Sequence, residues 1–179
     1  MKKLFIPLMV AAGVGFLYSC GNSSAGPERV NAVIQHNDGT ISLNLEEADR
    51  YSDVVNPSFN TAEWEVKVKR AGRYNVWISS ATLDTNDLRY KDKVRINVQD
   101  EEIAAQPACD KIILDCEEVT FPWFRADSFV GSMYIQDTGL FHVQVVSEQI
   151  MPVDRAAGDS SEVELSKLIS VYFTPEAKL

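Results

Sequence analysis

Three aromatic side chains, Trp77, Trp123 and Tyr90, and three polar ones, Asn97, Arg95 and Gln144, are the residues of this sequence best suited to recognising a ligand. An aromatic ring offers its π-face to apolar C–H groups, while amides and a guanidinium offer donors and acceptors to hydroxyls. A flat apolar surface edged by such polar groups is what a sugar needs. Trp77 falls on the polar phase of its run, beside Asn75 and Ser79. Asn97, Arg95 and Gln144 fall on the polar phases of theirs and can line the same sheet face as Trp77. Trp123 lies in the proline-broken stretch Phe121-Pro122-Trp123-Phe124-Arg125, and Tyr90 closes the loop spanning 82–92. Two placements follow: a loop-end site built on Trp123 and Tyr90, or a sheet-face site built on Trp77 and Asn97. A plainer placement, with Trp77 covered and Trp123 plugging one end of the fold, stays open beside them.

Catalytic chemistry finds little to work with. The two histidines are His36, just before a turn, and His142, on the polar phase of a run with no nucleophile near it in sequence. Nothing resembles a nucleophile elbow. Glycosidases need two carboxylates facing one bond. The pairs Glu46/Glu47, Glu101/Glu102 and Glu117/Glu118 are adjacent, and adjacent residues on a strand point to opposite faces. They read as solubilising charge, and no catalytic residue is expected. Asp84, Asn86, Asp87 and Asp92 put oxygen ligands in one loop, which suits calcium. However, Arg89 and Arg95 occupy the sixth and twelfth positions from Asp84, where an EF-hand needs glycine and glutamate. No metal or cofactor is expected.

The elements that must position these residues are strands. Trp64, Val66 and Val68 alternate with charged residues. So do Tyr74, Val76 and Ile78 with more polar ones, and the same holds for Val94, Ile96 and Val98 and for Phe141, Val143 and Val145. A period of two means one buried and one exposed face. Ala71-Gly72 marks a tight turn, so 62–80 reads as a hairpin. Asp137-Thr138-Gly139 marks another turn. Further strands are expected at Val30–Gln35, Thr40–Leu45, Lys111–Leu114, Ser132–Gln136 and Leu168–Thr174. Helix is scarce: one turn within Leu45–Tyr51, and either a short helix or a loop at Ser160–Lys167. About nine short strands argue for an all-β sandwich.

The N-terminus reads differently. Lys2 and Lys3 precede an apolar run from Leu4 to Leu17, followed by small and polar residues, which is the order of an export signal over 1–19. The run is too short for a good membrane span of roughly 20 residues. Leu17-Tyr18-Ser19-Cys20 resembles the bacterial lipobox, which implies lipidation at Cys20. A Gly-, Ser- and Pro-rich tether follows through residue 29, leaving 30–179 for the folded domain. The full chain carries 17 basic and 26 acidic residues, net −9. Without Lys2 and Lys3 the balance is 15 against 26, or −11. So acidic a body suits neither nucleic acid nor an anionic bilayer, and membrane contact is expected through the lipid alone. Cys109 and Cys116 then remain. In an oxidising compartment they can form a disulfide if the six residues between them fold tightly, or remain two buried free thiols.

Four segments, in order, resemble one family. Asp38-Gly39-Thr40-Ile41-Ser42-Leu43-Asn44-Leu45-Glu46-Glu47-Ala48 is similar to the first-strand signature of galactose-binding-like jelly rolls, the accessory domains of many bacterial glycoside hydrolases. Trp64-Glu65-Val66-Lys67-Val68 with Ala71-Gly72-Arg73-Tyr74-Asn75-Val76-Trp77 resembles their paired strands. Gly139 to Val145 resembles a later glycine-led strand, and Leu168 to Pro175 the closing one. The resemblance covers roughly 38–175. It implies a jelly-roll β-sandwich and carbohydrate binding without catalysis, at the loop end or on a concave sheet face. Departures are present: Ser52 stands where many relatives have glycine, and Lys167-Leu168 replaces the aspartate that calcium-binding relatives carry. The expected setting is the outer membrane of a Bacteroidetes-like bacterium, with a glycan or an envelope protein as partner. Gly21-Asn22-Ser23-Ser24 lacks the acidic residues common after the cysteine in surface-exported lipoproteins, so the side of the membrane stays open.

Overall fold

The computed structural model describes residues 32–114, 116–150 and 166–177. Segments 1–19 and 20–29, with Cys20, lie outside the described residues, as do Ser160 and most of the segment up to Lys167. Eleven strands are present among the described residues: β1 (Val33–Ile34), β2 (Ile41–Asn44), β3 (Asp49–Tyr51), β4 (Thr61–Val68), β5 (Gly72–Thr82), β6 (Val94–Val98), β7 (Glu101–Ala105), β8 (Lys111–Ile113), β9 (Phe124–Ile135), β10 (Gly139–Val146) and β11 (Ser166–Pro175). A turn of 3-10 helix (Leu45–Glu47) stands where one turn was expected, capped by the Asn44 side chain. The strands form a six-stranded sheet, β1-β4-β10-β6-β7 with β3 also on β4, and a five-stranded sheet, β2-β11-β5-β9-β8.

The inward phases of both sheets meet in one core. Trp64, Val66, Ile96, Phe141 and Val143 come from the six-stranded sheet. Ile41, Leu43, Tyr74, Val76, Ile78, Val171 and Phe173 come from the other. Each such side chain contributes about 1.5–3 kcal/mol by leaving water. The all-β sandwich is thus what the alternation implied, with two more strands than the nine expected: β3 is too short to show a period, and β7 has no fully buried face to give one.

One expectation is corrected. Residues 62–80 are not a hairpin: β4 pairs with β10 in one sheet, and β5 pairs with β11 and β9 in the other. Lys69-Arg70-Ala71 therefore crosses from sheet to sheet. Alternation specifies which face of a strand is buried, and both members of a crossing pair show it as clearly as a hairpin does. A buried polar knot holds the crossing. The Gln35 side chain, 1% exposed, accepts from the backbone N–H of Lys69 and Arg70 at 2.8 Å each and donates to the Gly39 carbonyl and the Tyr74 hydroxyl. The Tyr74 hydroxyl in turn donates to the Arg70 carbonyl. Gly39 sits at φ +94°, and a Cβ there would lie 2.7 Å from Pro175 Cγ, so this position excludes a side chain.

Candidate functional site

The outer face of the five-stranded sheet carries a row of aromatic rings. In register across three strands stand Phe129 of β9, Trp77 of β5 and Tyr172 of β11. Trp77 and Tyr172 lie parallel with centroids 6.1 Å apart, and Phe129 is tilted against Trp77 at 5.3 Å. Each spacing falls in the favourable range for ring pairs. Phe129 is 45% exposed and Trp77 partly so. One row along, Asn75 and Ser132 are also paired, with the Ser132 hydroxyl donating to Asn75 Oδ1 at 2.8 Å.

One row along from the rings, on the same phase, lies a charged anchor. Asp127 of β9 is 3% exposed and fully engaged. Its Oδ1 accepts from Ser79 Oγ at 2.8 Å and from Arg125 Nε at 2.9 Å, and its Oδ2 accepts from the Tyr172 hydroxyl at 2.9 Å. Burial, then the hydrogen bond and charge of Asp127, push the Tyr172 hydroxyl well above the ordinary tyrosine range. It stays a donor at neutral pH, which fixes the ring edge beside Trp77. Arg125 also reaches Glu118 at 2.8 Å. Lys111 of β8 sets its ammonium 3.9 Å over the Trp77 ring, and Lys167 of β11 sets its own 5.7 Å over Trp123.

The residues expected from sequence divide. Trp77 lies on this face. Trp123, partly buried, immediately precedes β9 at one end of the same sheet. Asn97, Arg95 and Gln144 do not join them: they sit on β6 and β10, in the six-stranded sheet. There Asn97 donates to Gln144 at 3.1 Å, Gln144 donates to Glu63 at 2.9 Å, and His142 Nε2 lies 3.3 Å from Glu63. Asn97, Gln99, Leu140, His142 and Gln144 edge an open depression of about 310 Å³ on that face. Tyr90 is a correction of another kind. It is 7% exposed, packs in the core and meets the Ser80 hydroxyl at 2.7 Å, so its ring is unavailable as a platform. Leu88 is buried with it, which folds the 82–92 loop inward.

Cys109 and Cys116 are free thiols, both partly buried. Lys111–Ile113 between them runs extended along β9 instead of folding as a tight loop. In the acidic loop, Asp84 accepts from the Asn86 N–H and Asp87 from the Arg89 N–H, so these two carboxylates serve as turn caps, while Asp92 accepts from the distant Ser58 hydroxyl. Among the described residues no group of three or more His, Cys, Asp or Glu is arranged to hold a metal.

Sequence reasoning missed Tyr172, Phe129, Asp127, Arg125, Lys111 and Ser79. A signal existed for Tyr172: it alternates with Val171 and Phe173, both buried, and so shares the polar phase with Trp77 on its own strand. Asp127 carried none, because a charged residue on an outward phase normally reads as solvated.

The molecule is therefore a two-sheet β-sandwich bearing an aromatic, hydrogen-bonding outer face. No protein-family model matches the chain, and no curated protein matches it. Among solved structures it is similar to the α-L-fucosidase from Vibrio sp. strain EJY3, with a TM-score of 0.60 and 16% identity over 81% of this chain and 24% of that one. It also matches the Podospora anserina GH26-CBM35 β-(1,4)-mannanase at a TM-score of 0.46 and 12% identity, covering 79% of this chain and 29% of that one. A third match is the mosquito-larvicidal Cry4Aa toxin from Bacillus thuringiensis, at 0.48 and 10%, covering 83% and 25%. The chain spans about a quarter of the length of each. The first likeness shows the fold; function rests on the site.

Proposed function

We propose that this domain binds carbohydrate without catalysing its breakdown, and that Cys20 tethers it by lipid to a bacterial envelope. What supports the binding reading is one observation: the Phe129–Trp77–Tyr172 row, partly open to solvent and edged by Asn75, Ser132, Arg125 and Lys111. Rings in a row suit successive sugar units of a glycan chain, and the rigid sheet holds them in place before the ligand arrives. The fold that the Vibrio fucosidase shares in part is compatible with this reading. A tether at Cys20 would hold the module near partner enzymes or transporters and raise their local glycan supply.

The test is a glycan-array screen of residues 21–179, repeated with Trp77→Ala. Removing the central ring is expected to weaken binding at least thirtyfold, about 2 kcal/mol, while the circular dichroism spectrum stays that of the parent. Binding that survives Trp77→Ala overturns the platform. An array with no positive glycan moves the reading to protein contact, for which Val54 and Val55, 94% and 93% exposed, supply apolar surface. The anchor is tested separately. Cys20→Ala is expected to abolish labelled-palmitate incorporation and to shift the protein from the membrane to the soluble fraction; unchanged labelling overturns the lipid assignment.

A further inference from the structure

We infer that the ligand of this face is an acidic glycan, one bearing carboxylate or sulfate groups, and that Lys111 and Lys167 receive those groups. The inference rests on the reading of Trp77 as a platform and adds its chemical class.

The charges on this face are unevenly committed. Asp110 accepts from the Phe129 N–H at 2.7 Å. Asp127 and Glu118 both accept from Arg125 at 2.8–2.9 Å, so that guanidinium already faces two carboxylates. Lys111 and Lys167 are exposed, and the contacts of both ammoniums among the described residues are with rings, Trp77 and Trp123. In a chain of net charge −9, these two lysines place two ammoniums beside tryptophan rings on one sheet. Lys111 is on β8 and Lys167 on β11, with β9 and β5 between them. Three strand spacings put them roughly 14 Å apart across the sheet, so one extended glycan can reach both.

The position of Lys111 decides between ligand classes. Its ammonium stands 3.9 Å from the centroid of the ring face that a sugar would cover. A neutral sugar has to displace that cation and offers only hydroxyls in return. A uronate or sulfated sugar displaces it too, but presents an anion at the ring edge with which the ammonium then pairs. The lysine thus rewards one class and penalises the other, which is how specificity is built.

The experiment is a titration of the full mature chain, followed by tryptophan fluorescence. The probes are uronate oligosaccharides with their carboxyl-reduced counterparts, and sulfated oligosaccharides with their desulfated counterparts. The acidic member of at least one pair is expected to bind at least tenfold more tightly in low salt, with the gap shrinking at 0.5 M salt as screening sets in. The pair that shows the gap tells carboxylate from sulfate. Lys111→Met combined with Lys167→Met is expected to cut the preference to threefold or less, and Lys111→Arg to keep most of it. Equal binding within every pair overturns the inference while leaving the platform intact, provided Trp77→Ala still abolishes binding. Acid-selective binding that ignores Trp77→Ala places the charge elsewhere and overturns both. Absence of binding to every probe overturns the inference alone, since the platform is judged on the full glycan array.

Discussion

Gln35→Leu is expected to lower the free energy of unfolding by about 3–5 kcal/mol, read as a shifted urea midpoint with little change in slope. The substitution nearly conserves volume, so packing contributes little to the loss. The cost comes from four polar groups that share this one amide. The N–H groups of Lys69 and Arg70 lose their acceptor, and the Gly39 carbonyl and Tyr74 hydroxyl lose their donor. Each buried group left unpaired costs about 1–3 kcal/mol, and the more exposed ones recover part of that through water. Gln35→Glu separates the contributions: it keeps the acceptor for both N–H groups and removes the donor. A glutamate variant much closer to the parent than the leucine one would assign most of the effect to the backbone caps. A loss below about 1 kcal/mol for Gln35→Leu would show that the crossing is held by core packing alone.

That crossing is also where sequence reading stopped. Alternation identified the buried faces of β4, β5, β6 and β10 residue by residue, down to Trp64 and Tyr74 in the core. It could not say that β4 and β5 part company at Ala71, because the partner of a strand is set by long-range pairing rather than by its own period. The same limit applies to the site, because phase gives the face of a strand and not its sheet. A shared polar phase groups Trp77 with Asn97, Arg95 and Gln144, which the structure puts on the other sheet. Its true neighbours, Tyr172 and Phe129, lie 95 and 52 positions further along the chain, where no local spacing connects them. Tyr90 failed for a related reason. A tyrosine at a loop end looks exposed, but here Ser80 on the inward phase of β5 supplies the buried hydroxyl partner that lets the ring turn in. The Gln35 knot had no sequence signal at all. A lone glutamine after two apolar residues reads as the end of a strand.

Asp127→Ala is expected to destabilise the fold by about 3 kcal/mol and, at the same time, to weaken glycan binding. The carboxylate is shared by three donors on three strands: Ser79 of β5, Arg125 of β9 and Tyr172 of β11. Removing one partner of a buried charged pair typically costs 3–5 kcal/mol, since the remaining charge is stranded. The lower end applies because Arg125 keeps Glu118 and is about one-fifth exposed at its side chain. Ser79 has no such relief, being fully buried. The functional loss follows from Tyr172. Its ring lies parallel to Trp77 because the hydroxyl is tied to Asp127; without that tie the outer ring of the row is free to turn, and a platform that must be ordered on binding binds less well. Tyr172→Phe isolates this second effect. It should cost about 1 kcal/mol of stability, yet reproduce much of the affinity loss of Asp127→Ala. Equal affinities for Tyr172→Phe and the parent would mean that Asp127 supports only the fold and that Trp77 needs no ordered neighbour. Asp127→Asn completes the set, because an amide retains one acceptor oxygen without the charge. A midpoint close to that of the alanine variant would show that the charge on Arg125, more than the hydrogen bonds of Ser79 and Tyr172, is what the buried carboxylate is there to balance.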